Sequence, residues 1–275
     1  MGSTPGGSRK NGTMPGIVGL RRYPLKSARG ESLTAATVER TGLAGDRTWA
    51  CVDPADGTIG SAKHPRRWGG LLAVGARLAG DQLTVTVGGS EFAAADAEDA
   101  LARHLGRPVR LTREVPAGAR LHRTLPGVDG MVPDWMAGVR PGEDAVTAVG
   151  GGGAGGFVDF APVHVVTTGA LARLGAAAVR FRPNIVLDTD DDLPDGAELR
   201  LGDVVLRVMS PTPRCVIPSL AHGPDVPPDP DLLRTLARHY RVPVAGLGKA
   251  ACFGSYAEVL EPGRLRVGMG RRSTP

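Results

Sequence analysis

Aromatic residues are scarce in this chain, with three Trp, three Tyr and five Phe among 275 residues. A groove that stacks bases on aromatic rings is poorly provided for. Lys and Arg outnumber Asp and Glu by 33 to 28, but no basic tract concentrates the excess, so no nucleic acid is expected among the partners. A dispersed positive balance suits a small anionic ligand instead. No apolar run approaches the ~20 residues of a membrane span, and the opening MGSTPGGSRKNGT has no apolar stretch after its charges. Neither a membrane association nor a secretory leader is therefore expected. Cysteine is limited to Cys51, Cys215 and Cys252, an odd and widely spaced set without a CxxC pair. That argues against a disulfide framework or a structural zinc site and suits a reducing cytoplasm. The chain contains no Walker-type GxxxxGK motif followed by Ser or Thr, no GxSxG and no HExxH.

Gly (40) and Pro (23) are abundant, together nearly a quarter of the chain. Both break helix interiors, so they argue against a helical bundle and for short strands joined by tight turns. A hydrophobic fraction of 41% still suffices for a core, which Val, Leu, Ile and Ala must build. The expected fold is mainly β with some helix (α+β), in two lobes.

Along the chain, residues 1–14 read as a disordered tail. Strands are predicted at 16–20 and 48–52, the latter followed by a DPADG turn at 53–57. Residues 71–78 and 83–87 read as a hairpin around 79–81. Ala97, Ala100, Leu101 and Leu105 have helical spacing, with Asp96 as N-cap and Gly106 as terminator. Another strand is expected at 109–112. Residues 113–145 show only weak periodicity and read as irregular. Residues 150–156 are nearly pure glycine and read as a flexible loop. A strand at 163–167 leads into a short helix capped by Thr168 and ended by Gly175. Strands follow at 185–187 and 204–209. A helix opens at Asp231 with Leu232, Leu233, Leu236 and Tyr240 on one face, and a last strand lies at 265–267.

Some segments look too specific for ordinary loops. Gly151, Gly153 and Gly156 match GxGxxG, but extended chain follows where a nucleotide loop needs a helix, and a glycine run matches trivially. The six histidines have no metal-ligand spacing. His164 reads as a packed strand residue. His64, beside Lys63, reads as solvated surface or an anion contact. Cys51 and Cys252 sit in apolar surroundings and read as small core residues. Cys215 differs, because Pro211, Pro213 and Pro218 fix the backbone around it and Arg214 favours its thiolate. YPLKSARG (23–30) places Lys26, Ser27 and Arg29 after one strand, and GLAGDRTW (42–49) places Asp46 and Arg47 before another. Near a common sheet edge, two such sets form an anion cradle. In RFRPNIVLD (180–188), Arg182 and Asn184 flank Pro183, so a rigid turn presents a guanidinium and an amide together.

These segments, with FVDFAPVHVVTT (157–168), PTPRC (211–215), FGSYAEV (253–259) and PGRLRVG (262–268), occur in an order that resembles the MOSC proteins. That family is named after the C-terminal domain of molybdenum cofactor sulfurase. The resemblance includes the β-barrel domain that often precedes the MOSC domain, and it spans roughly residues 16–270. It implies an N-terminal barrel over 15–115, an irregular connection over 116–156 and a MOSC domain over 157–275.

It further implies a molybdopterin-binding protein with the cofactor between the lobes. Lys26, Ser27 and Arg47 then hold the phosphate and pterin, while Asp159, Arg182, Asn184 and Arg214 line the pterin. Cys215 ligates molybdenum or carries a persulfide. A soft thiolate suits that metal. The chain departs from its relatives at Ser61-Ala62-Lys63-His64-Pro65, where Lys63 stands in place of an Arg and keeps the charge but loses the bidentate fork. Some relatives carry a ferredoxin-like C-terminal domain whose cysteines this chain lacks, so no iron–sulfur cluster is expected and a separate electron-donor protein is. Residues 113–145 and the glycine run are expected to shape substrate access. The resemblance implies reduction of a small N-hydroxylated substrate; sulfur transfer or carbon–sulfur chemistry through Cys215 is the alternative, and a non-catalytic pterin carrier the third.

Overall fold

A computed structural model describes residues 15–149 and 156–270. The terminal tail and most of the glycine run (150–155) lie outside the described residues. The fold is mainly β, with an N-terminal barrel domain and a second domain that carries most of the largest sheet.

That sheet has eight strands among the described residues: β1 (Gly16–Arg22), β2 (Glu31–Leu33), β3 (Val163–Thr167), β4 (Ile185–Asp188), β5 (Glu198–Leu201), β6 (Val204–Pro213), β7 (Arg241–Val244) and β8 (Gly248–Glu261). Their order is β5-β6-β8-β3-β4-β1-β2, and β7 pairs with β8 beside this path. The first strand of the chain thus lies against β4 of the second half, with Leu20 opposite Ile185. Near the other end of the described chain, Gly263–Arg266 pairs with Ala35–Glu39. Both halves are therefore stitched together by backbone hydrogen bonds.

Every residue of β3 is buried, including His164 and Thr167, as expected for a strand covered on both faces. β3 and β4 run parallel, so the chain between them must cross over. It does so through helix α2 (Thr168–Leu174), the second of three longer helices after α1 (Ala97–Leu105) and before α3 (Asp231–His239). Thr167 rather than Thr168 caps α2: its side chain accepts from the Ala170 N–H at 3.2 Å, and Gly175 ends the helix in the left-handed region. The crossover delivers Arg182, Pro183 and Asn184 to the start of β4.

Other predicted elements shift for identifiable reasons. α1 ends at Gly106 as expected, but the Asp96 side chain makes no capping bond. Residues 69–73 form a 3₁₀ turn, not strand, and bury Leu71 in the cluster of Trp68 and Leu72 in that of Ala62 and Ile217, so the hairpin is Gly75–Ala79 with Gln82–Val87. The segment 113–145 is more ordered than its sequence implies. Arg120–Thr124 pairs with Asp144–Ala148, burying Leu121, and Asp134–Met136 forms a 3₁₀ turn. Its polar composition reflects outward-facing partners such as Arg120 and Asp144.

Candidate functional site

One cavity of about 330 Å³ lies where the two halves meet. Lys26, Ser27, Arg47, Asp159, Arg182, Asn184, Arg214 and Cys215 all line it, although they are spread over 190 positions of sequence. Lys63 lines it as well. Arg29 does not; it is partly exposed and lies 3.5 Å from Asp225.

On one side, two ammonium groups grip a single carboxylate. Lys26 Nζ lies 2.7 Å from Asp159 Oδ1 and donates to the Phe157 carbonyl at 2.8 Å. Lys63 Nζ lies 2.9 Å from Asp159 Oδ2. Burial pushes the Lys26 amine down to about 8, with Asp159 opposing the drop and Lys63 adding to it. Burial alone would raise the Asp159 carboxyl, but the two lysines outweigh it and hold the group well below its ordinary value. Ser27 Oγ accepts from the Ala62 N–H at 3.0 Å, which fixes the turn that carries Lys63.

On the opposite side, guanidinium groups crowd around aromatic rings. Arg47 and Arg182 lie over the Tyr23 ring at 5.0 and 4.2 Å, and Arg214 lies 5.3 Å from the Phe181 ring. Arg47 pairs with buried Asp46, whose other oxygen accepts from the Tyr23 N–H at 2.7 Å. Arg182 Nη1 donates to the Ala28 carbonyl at 2.6 Å, while its Nη2 is buried without a partner among the described residues. Burial lowers this guanidinium to about 10. Arg214 Nη2 donates to the Phe181 carbonyl at 3.0 Å, and its Nε is likewise buried and unpartnered. Unmade buried bonds of this kind are costly unless something supplies an acceptor.

Asn184 plays a different part. Its Oδ1 accepts from the His164 N–H at 3.1 Å and its Nδ2 donates to the Arg21 carbonyl at 3.3 Å, so the amide braces β3 and β1 behind the cavity. Backbone geometry marks the same place. Ser27, Arg47 and Arg182 are the non-glycine residues with positive φ among the described residues, and all three line the cavity. Gly254, also at positive φ, is required by close approach: a Cβ there would lie 2.6 Å from His164 Nε2.

His164 belongs to this site, although its sequence context reads as simple packing. Its Nε2 lies 3.5 Å from Arg214 Nη1, and burial, then the charge of Arg214, hold it neutral well below its ordinary value. Tyr256 and Arg123 also line the cavity, as do Trp135, Phe160 and Leu247. A lone Trp in an otherwise polar segment was the available signal for Trp135. His64 is instead structural, since its ring accepts from the Arg67 N–H and meets Asp144 at 3.2 Å. Of the three thiols, only Cys215 lines the cavity. It is half-buried, whereas Cys51 and Cys252 are buried.

Six cations and one carboxylate therefore line a cavity that also holds one thiol. Fold and site together define a two-domain β protein with a cation-lined cavity where its halves meet. The MOSC domain model matches residues 157–270 and the MOSC N-terminal beta barrel domain model matches 14–114, so the chain belongs to the MOSC family. That family is associated in general with the molybdenum cofactor, through enzymes that bind it and through sulfur-transfer proteins. Among solved structures, the chain is similar to YiiM from Geobacillus stearothermophilus, at 21% identity over 40% of this chain and 52% of that one, with a TM-score of 0.28. It thus spans about half the length of that relative. It is also similar to the YUAD protein from Bacillus subtilis, at 12% identity over 92% of each chain, with a TM-score of 0.38. No curated protein matches the chain. No helix among the described residues is long and apolar enough to cross a membrane.

Proposed function

We propose that this protein is a molybdenum-cofactor-dependent oxidoreductase that reduces small N-hydroxylated substrates, with electrons from a separate donor protein. The observation that carries the reading is the convergence of Cys215 with six cations on one cavity. The residues fit the cofactor. Its phosphate needs cations, its pterin needs donors, and Arg182 Nη2 and Arg214 Nε are buried donors without acceptors. Among the described residues, no group of three or more His, Cys, Asp or Glu side chains suits a metal ion, so a metal here would rest on Cys215 and on the cofactor's own sulfurs.

Lys26, Lys63, Ser27 and Arg47 then hold the phosphate and adjoining pterin, and Asp159 accepts from the pterin's N–H groups. Arg182 and Arg214 orient the ring system, Asn184 fixes the strands behind it, and the Cys215 thiolate ligates the metal. When bound, the cofactor supplies the two-electron removal of oxygen from N–OH. The overall change takes R–N–OH, two electrons and two protons to R–N–H and water. The chain's own contribution is ligation, orientation and charge compensation.

The test is expression in a host that makes the cofactor, followed by metal analysis and amidoxime reduction with a chemical electron donor. Wild type should retain molybdenum, and Cys215→Ala should lose activity while keeping its fold. Active protein free of molybdenum overturns the proposal. One observation favours a second reading: Cys215 is a half-buried thiol next to Arg214. As a persulfide it passes its outer sulfur to an acceptor and returns to the thiolate. One additional sulfur atom on Cys215 by intact mass, with turnover in metal-free protein, would establish that reading instead.

A further inference from the structure

We infer that the mouth of this cavity selects substrates carrying an apolar aryl group, an inference that rests on the reductase reading and gives its substrate class. The large hydrophobic side chains exposed among the described residues are Val115, Trp135, Val146, Phe160, Leu247 and Val267. Three of them, Trp135, Phe160 and Leu247, line this one cavity. They are 40, 37 and 41% exposed, so more than half of each residue is covered while the rest meets solvent. The cavity's lysines and Arg182 are buried, each less than a tenth exposed, so these three cations lie deeper than Trp135, Phe160 and Leu247.

The three rim residues come from separate segments, and each is braced. Trp135 sits in the Asp134–Met136 turn, whose Asp134 pairs with Arg241 and accepts from the Lys249 N–H at 2.7 Å. Arg241 also donates to the Val132 carbonyl at 3.2 Å. Those bonds clamp the turn to the β7–β8 hairpin, whose connection carries Leu247. Phe160 follows Asp159 directly, and its ring lies 5.4 Å from that of Tyr256. A rim converging on a concave opening suits the body of a small molecule better than a flat protein face. A substrate entering with its N–OH toward Cys215 and Arg214 leaves its remaining part between Trp135, Phe160 and Leu247. An aryl ring gains most there, by apolar burial and by ring–ring contact.

The experiment compares benzamidoxime with acetamidoxime on the molybdenum-loaded full-length protein. Wild type should favour the aryl substrate about tenfold or more in kcat/KM. Trp135→Ala should erase most of that ratio, chiefly through KM, and Leu247→Ser should reduce it. Equal kcat/KM values in wild type, or a ratio that neither variant moves, overturn the rim inference and leave the reductase reading standing. If neither compound is reduced, the reductase reading fails, and saturation-transfer NMR on the same protein decides the rim. Benzamidoxime binding that Trp135→Ala weakens supports it; no preference over acetamidoxime overturns it.

Discussion

Replacing Asp159 by Asn tests the electrostatic logic of the cavity directly. In the native protein Lys26 and Lys63 share that carboxylate at 2.7 and 2.9 Å. Removing its charge leaves two buried ammoniums facing each other. Two unit charges roughly 5 Å apart repel by about 3 kcal/mol at an effective dielectric constant of about 20. The Asp159 side chain is 38% exposed, so solvent screens part of this. A net loss of about 1–2 kcal/mol remains, or roughly 2–8 °C in melting temperature for a chain of this size. The assay is thermal unfolding at low ionic strength, with and without inorganic phosphate at matched ionic strength. Phosphate should restore part of the loss, because a dianion replaces the missing counter-charge. The decisive comparison is a double-mutant cycle with Lys63→Met. Lys63→Met should be neutral or mildly destabilising in wild type, because Asp159 loses one partner. In the Asp159→Asn background it should stabilise, because it removes the repulsion. A change of the same sign and size in both backgrounds would refute the coupling of the three groups.

Two further outcomes follow from buried titratable groups. In the folded protein at pH 8, iodoacetamide should modify Cys215 and spare Cys51 and Cys252, whose thiols burial pushes up to about 12; peptide mass spectrometry showing equal labelling of all three would contradict this. Burial, then the nearby charge of Arg182, lowers buried His222 to about 4. Between about pH 6.5 and 4 the unfolded chain therefore takes up a proton that the folded chain refuses, so stability falls with pH, by on the order of 3 kcal/mol from this group. His222→Asn should flatten that part of the curve in urea unfolding, and an unchanged slope would refute the assignment.

Much of the site was legible in the sequence because its parts are punctuated. Pro183, the Pro211-Thr212-Pro213 run and Gly254 each constrain the backbone beside a functional side chain, and such residues remain recognisable when the intervening chain is not. Secondary structure was legible where one period dominated, as in α1 and α3. It failed at residues 69–73, where Leu71 and Leu72 serve two different apolar clusters from a 3₁₀ turn that has no long repeat. It failed again at 120–148, where the strands RLHRT and DAVTA are half-exposed and bury only Leu121. The place of His164 was hidden for another reason. An apolar strand context is the same whether a histidine packs in a core or, as here, lies beside Arg214, and only the fold separates the two. The rim was hidden because Trp135 and Leu247 converge through Asp134 and Arg241, more than a hundred residues apart, while Phe160 is placed against distant Tyr256.

The strained residues explain why a cavity so rich in like charge can wait for its ligand. Left-handed backbone at a non-glycine residue costs about 1–3 kcal/mol, and Ser27, Arg47 and Arg182 each bear it. Ordinary hydrogen bonds hold the strained segments in place. The Arg47 N–H donates to the Tyr23 carbonyl at 2.8 Å, and the Arg47 carbonyl accepts from Phe157 at 2.8 Å. The Arg182 N–H donates to the Val179 carbonyl at 3.2 Å, and Ser27 Oγ holds Ala62. The Arg182 bond closes its own turn, whereas the bonds of Arg47 and Ser27 join them to other segments, so relaxing these two would break contacts made elsewhere. The guanidinium groups are consequently set in position by the fold itself, with carbonyls and rings as their partners. An arriving anion meets donors that need little reordering, and the conformational cost that usually opposes binding falls on folding instead.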